Sequence, residues 1–254
     1  MQKAGLHCLF GLKTNECLTK YTQRQTDNHS NKLIEEKMYK KRTFAKITGY
    51  ALLLMAIIAG FAFGFAFPKI FSPGKVDFVQ SNLAGNLQLY KLMLVAILIV
   101  LLLDGLVSWT LYMFFKDDNR KIALLSGILR IVYTAVFGIA TFYLTKNLNQ
   151  TETSNGIIIN NFQLFQSIWS AGLIIFGIHL FLVGILMKLH QRIPKILWYL
   201  ALIAGVSYVV VHFLKLTLPQ SDIVNNLEMI LALPMAIGEL GLAVWLIVKG
   251  GKVY

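Results

Sequence analysis

Four ionisable residues interrupt otherwise apolar stretches: Asp104, Arg130, His179 and Glu239. A charge in hydrocarbon costs several kcal/mol, so such residues are paired, wet or functional. Asp104 stands 11 residues before Phe115, Arg130 8 after Ile122, His179 8 before Met187, and Glu239 9 before Val248. At about 1.5 Å per helical residue, all four lie roughly 12–17 Å from the same boundary. They therefore define one polar layer near the membrane midplane. Two acids can share Arg130, whose planar fork suits carboxylates. His179 can stay neutral and bond to either acid. A fixed layer acts as glue between helices, whereas one that changes protonation or admits water is a proton or ion site.

Neighbours extend a polar inner face. Ser108 lies one turn below Asp104, and Tyr133 and Thr134 follow Arg130 at i+3 and i+4. Pro234 stands five residues before Glu239 and removes a helix hydrogen bond there. Ala56, Gly60 and Gly64 recur every four residues, a spacing that lets helices approach closely. Packing inside the protomer is the first expectation for this stripe, and a homo-oligomer contact the second. His212 and Lys215 lie near the boundary opposite the layer's reference side, where a lysine can snorkel to water.

The elements that carry these residues are long and apolar. The 254-residue chain is 56% hydrophobic and 14% charged, with a mean hydropathy of +0.63. Soluble domains carry about 25% charged residues. Six stretches reach the roughly 20 apolar residues that cross a bilayer: about 47–67, 90–115, 122–144, 164–187, 194–216 and 227–248. Backbone groups in lipid must be satisfied within the segment, which makes these helices. The expectation is an all-α, six-helix transmembrane bundle over 46–250.

The net charge of +12 does not indicate nucleic acid, because the bases cluster between apolar runs. Residues 1–46 hold ten Lys and Arg. Lys116, Arg120 and Lys121, then Lys188, Arg192 and Lys195, then Lys249 and Lys252, follow on the same side. The opposite loops offer Lys69, Lys75 and Lys146. The positive-inside rule puts both termini in the cytoplasm. Lys37, Lys40, Lys41, Arg42 and Lys46 form a basic cluster that can attract anionic lipid, although topology alone accounts for it.

Residues 1–45 read as a basic cytosolic tail without a fold of its own. Met38-Tyr39-Lys40-Lys41-Arg42 runs directly into the first span, as a simple multi-pass protein begins, and Glu35-Glu36 implies purine-rich codons upstream. A translation start at Met38 is one expectation and a disordered tail the other. Cys8 and Cys17 fit no zinc spacing and read as reduced thiols. Asn149-Gln150-Thr151 forms a glycosylation sequon that matters only in a eukaryotic secretory pathway.

Leu89–Phe115, Gly172–Gly184, the Ile193–Leu197 junction and Leu233–Gly250 resemble a bacterial six-span membrane family, domain of unknown function 4386. The segments around His179 and Gly238-Glu239-Leu240-Gly241 carry most of the likeness. The resemblance implies an inner-membrane location and brings no catalytic residues. No hydrolase, metalloprotease or phosphate-loop motif occurs, so an enzyme is the less favoured reading, and no cofactor or metal is expected. The functions left open are an accessory, sensing or stress-related bundle, or a small-solute, ion or proton transporter using the polar layer.

Overall fold

In the computed structural model, residues 14–71, 79–148, 154–218 and 221–251 are described. The expectations for Cys8, Lys75 and the sequon fall outside them, as does the side chain of Cys17. The chain divides into two units, residues 1–43 with 251–254, and residues 44–250. The polar layer belongs entirely to the second.

The element order is α1 (Thr14–Ala59), a π-helical turn (Gly60–Ala66), α2 (Phe67–Ile70), α3 (Val79–Gly85), α4 (Leu87–Phe115), α5 (Arg120–Thr145), a 3-10 turn (Lys146–Leu148), α6 (Asn155–Leu189), α7 (Lys195–Thr217) and α8 (Asp222–Val248). No strand occurs among the described residues. Six helical segments there are long and apolar enough to cross a membrane, and they are numbered here as spans one to six. Span one runs Glu35–Ile70; spans two to six are carried by α4 to α8.

Two boundaries differ from the sequence expectation. The segment expected to carry no fold is helical from Thr14. Glu35 and Glu36 precede Lys37, Lys40, Lys41 and Arg42, and Lys40 pairs with Glu36 at 2.7 Å, the i,i+4 spacing that supports a helix. Span four begins at Asn155 rather than near 164. One of its polar opening residues is held inside the protein: Asn161 is buried and donates to Asn147 Oδ1 at 2.7 Å.

Span one departs from α geometry where Gly-Phe-Ala-Phe-Gly-Phe-Ala precedes Pro68. Pro68 has no N–H to continue the α ladder. The Phe67 N–H instead reaches the Ala62 carbonyl, five residues back. The wide turn sends Phe63 inward, where it stacks on Trp169 at 4.4 Å and approaches Phe137 and Phe165. Ala62 and Ala66 are buried beside it.

This register overturns the expected internal packing of Ala56, Gly60 and Gly64. All three are exposed, and a Cβ added at Gly60 or Gly64 would meet nothing within 4 Å. The inward face already holds Phe63 and the two alanines. Close helix approach occurs at other small residues. A Cβ at Gly205 would lie 2.7 Å from the Phe181 nitrogen and 2.8 Å from the Gly177 carbonyl, so spans four and five touch backbone to backbone. Gly49 sits equally tight against the Ala243 carbonyl of span six, and Gly250 against Ala45. The two ends of this unit thus lie side by side.

Polar side chains join the remaining spans. Thr48 donates to Thr110 Oγ1 at 2.7 Å between spans one and two. Ser108 donates to the Gly127 carbonyl at 2.8 Å between spans two and three. At the Ala45 end, His190 Nδ1 lies 2.9 Å from both oxygens of Asp118, tying the 2–3 link to the end of span four.

The contrast between the two glycine sets is testable. Gly205→Leu is expected to lower stability by about 3 kcal/mol or more, because a backbone cannot move aside as a side chain can. Gly60→Ala and Gly64→Ala should each stay within about 1 kcal/mol of the parent. Unfolding of the purified protein in detergent measures all three.

Candidate functional site

The layer is built from five spans. Asp104 and Arg130 face each other from spans two and three, both at most 2% exposed. Arg130 donates through Nε at 3.0 Å and through a terminal nitrogen at 2.6 Å, both to Asp104 Oδ1. The fork therefore closes on one oxygen. Asp104 Oδ2 is buried and accepts no hydrogen bond.

The other terminal nitrogen of Arg130 points to His179 Nε2 at 3.2 Å. Arginine has no acceptor, so Nε2 must accept and carries no proton. The ring proton then lies on Nδ1, which is 2.8 Å from the Ser126 carbonyl and 2.9 Å from Ser126 Oγ. The hydrogen-bond network thus assigns a neutral His179 with its proton on Nδ1. Phe176 closes one side, with the Arg130 guanidinium carbon 5.3 Å from its ring centre, a cation–π distance.

This corrects two sequence expectations. Arg130 is divided between Asp104 and His179, not between Asp104 and Glu239. His179 bonds to Arg130 and Ser126, not to an acid. The physical reason is helix neighbourhood: span four sets the His179 ring on the guanidinium, while Tyr208 of span five takes Glu239.

Glu239 takes a different partner. Tyr208 of span five donates to its Oε1 at 3.0 Å. Glu239 makes no ion pair among the described residues. A gap of about 10 Å³ separates it from Arg130 and His179, about the room one water requires.

Asp104, Arg130 and Glu239 all line one cavity of about 250 Å³. Its other walls are largely apolar and aromatic, including Phe63, Tyr133, Trp169, Phe176 and Tyr208. Tyr133 joins the wall as its spacing from Arg130 suggested, stacked on Phe137 and tilted against Phe176. Thr134 does not join; its hydroxyl donates to the Arg130 carbonyl of its own helix. Ser108 is spent on Gly127. Pro234 lies outside the lining, while Ala236 and Leu240 of the same span belong to it. Ala56 contributes to the wall, and Gly60 and Gly64 do not.

His212 is buried, with Nδ1 3.4 Å from Ser170 Oγ, and Lys215 pairs with Glu228 at 2.6 Å. Neither touches the cavity.

Sequence reasoning missed Ser126 and Tyr208. Ser126 precedes Arg130 by four residues, so the helical spacing that found Thr134 also points to it on the other side. Tyr208 carries no signal beyond a hydroxyl within an apolar span. The arrangement sets two carboxylates and one guanidinium along a mostly apolar cavity. It presents no activated nucleophile, and no three His, Cys, Asp or Glu side chains converge as metal ligands among the described residues.

A match to the family described as Domain of unknown function (DUF4386) covers residues 47–250, and the chain belongs to that family. A protein of Archaeoglobus fulgidus described as uncharacterized is 30% identical over 159 residues, 63% of this chain and 84% of that protein. This relative is archaeal, whereas the resemblance implied a bacterial setting. No solved structure matches the chain.

The ion pair generates a prediction. Arg130→Met strands a buried carboxylate and should cost about 3–5 kcal/mol. The double variant Asp104→Leu/Arg130→Met removes both charges and should recover most of that loss. A double-mutant cycle on unfolding in micelles measures the coupling.

Proposed function

From membership of this family and the geometry of its cavity, we propose that the protein is a solute-binding membrane bundle with a sensing or accessory role. One observation carries the reading. The polar layer opens on a cavity of about 250 Å³ instead of being packed shut. A layer that served only to glue helices would bury every acceptor against a donor. Here Asp104 Oδ2 has none, and Glu239 faces the cavity with a single tyrosine. Mostly apolar walls with a few converging polar groups are the general form of a small-molecule site. The setting in this reading is the cell's inner membrane with both termini cytoplasmic, supported by the excess of Lys and Arg at the Ala45 end.

A transport reading is favoured by a separate observation. Span six, which bears Glu239, and span one, which lines the same cavity, both depart from a regular α-helix. Span one carries the π-helical turn, and span six contains Pro234, which leaves the Ile230 carbonyl without its helix donor. Such irregularities are where helices bend.

A panel of small apolar solutes bearing positive, neutral or negative groups tests the main reading. At least one charge class should raise the unfolding midpoint of the wild-type chain, and Ala236→Phe, which fills the cavity, should abolish that rise. Stabilisation by no class would leave the layer as structure alone. Proteoliposomes separate sensing from transport. Sensing predicts that wild type, Asp104→Asn and Glu239→Gln all move protons at the background rate. A wild-type flux lost in both variants would establish the transport reading instead.

A further inference from the structure

The cavity has a mouth, and its position restricts what can enter. Of the residues that line it, the exposed ones are Ala56, Ala236 and Leu240. All three come from spans one and six. These spans meet tightly toward the Ala45 end, at Gly49 against the Ala243 carbonyl and at Gly250 against Ala45. Ala56 is 7 residues past Gly49, about 10 Å farther along the helix. The opening therefore lies at the depth of Glu239, inside the hydrocarbon.

The interior restricts the ligand's charge. Arg130 is the cavity's sole cation among the described residues, and its fork is already engaged by Asp104 and His179. Two carboxylates line the space, one with a bare buried oxygen and one bonded only to Tyr208. An anion would lie beside Glu239. A neutral lipid chain would fill the apolar part but donate nothing to either acid. Phe63, Trp169, Phe176 and Tyr208 give the space an aromatic lining that suits an apolar body beside the charge.

We propose that the cavity binds a lipophilic ammonium ion, a protonated amine dissolved in the bilayer, that enters sideways between spans one and six with Glu239 as its counter-ion. Glu239 takes the ammonium's hydrogen bonds, and the largely apolar walls enclose its carbon chain. The volume suits this class: a cavity of about 150 Å³ holds benzene, which leaves room here for a short aminoalkyl chain. The proposal rests on the solute-binding reading above and narrows it to one chemical class.

The test uses the full chain in phosphatidylcholine nanodiscs and four probes: phenethylammonium, 3-phenylpropanol, 3-phenylpropionate and choline. Quenching of Trp169 fluorescence, identified by its loss in Trp169→Phe, reads occupancy. Phenethylammonium should bind at least tenfold tighter than the alcohol or the carboxylate. Choline, equally charged but confined to water, should also bind at least tenfold more weakly. Glu239→Gln should weaken phenethylammonium at least tenfold and leave the alcohol within twofold. If the alcohol or the carboxylate equals the ammonium, the cation claim is overturned while a solute site remains. Choline binding as tightly as phenethylammonium would overturn lateral entry. Binding of none of the probes would remove both this proposal and the reading beneath it. The wild-type probe series requires no substitution, so it decides the matter even if Glu239→Gln fails to fold.

Discussion

A single guanidinium in hydrocarbon sets the terms for this protein. Arg130 has no route to water from the middle of span three, so its charge must be met within the bundle. Asp104 meets it from span two and the neutral ring of His179 from span four. Three helices are thereby held at one depth and one rotation. The tight backbone contact of spans four and five at Gly177 and Gly205 then positions Tyr208, and Tyr208 holds Glu239. The layer is a chain of dependence in which each polar group is placed by the preceding one.

The charge arithmetic of that chain gives the cavity its character. Asp104 and Arg130 cancel, and His179 is neutral by its hydrogen bonds. Glu239 alone is left without an opposite charge, and it is also the acid nearest the mouth. An acid buried on one side and open on the other can be matched by a proton or by a cation of the right shape. Span one, on the cavity wall, carries the π turn, and span six, which bears Glu239, contains Pro234, so both depart from regular α geometry.

Much of this was readable from the residues themselves. Apolar run length located the six spans because hydrocarbon thickness dictates it, and residue counts from each boundary placed the four ionisable groups at one level. Pairing was not readable, because depth says nothing about which helices are neighbours. Arg130 therefore appeared equally able to serve Asp104 and Glu239. The glycine stripe misled for a related reason. Spacing of four shows only that Ala56, Gly60 and Gly64 share a face, not which one, and the inward positions belong to Ala62, Phe63 and Ala66. The glycines that do bring backbones together, Gly49, Gly177 and Gly205, lack any such stripe, since each meets a different helix. Span four begins earlier than its hydropathy suggests, and one polar residue of that extension, Asn161, is buried through its amide bond to Asn147.

The central claim is that Arg130 lies between Asp104 and His179 and so fixes the histidine's proton. Nitrogen-15 NMR of the five histidines in lipid, with the His179 signal identified by its absence in His179→Gln, reads that proton's position directly. The account predicts a neutral ring protonated at Nδ1 and bare at Nε2. A ring protonated at Nε2, or at both nitrogens, would mean that Arg130 is not its partner, and the layer described here would not exist.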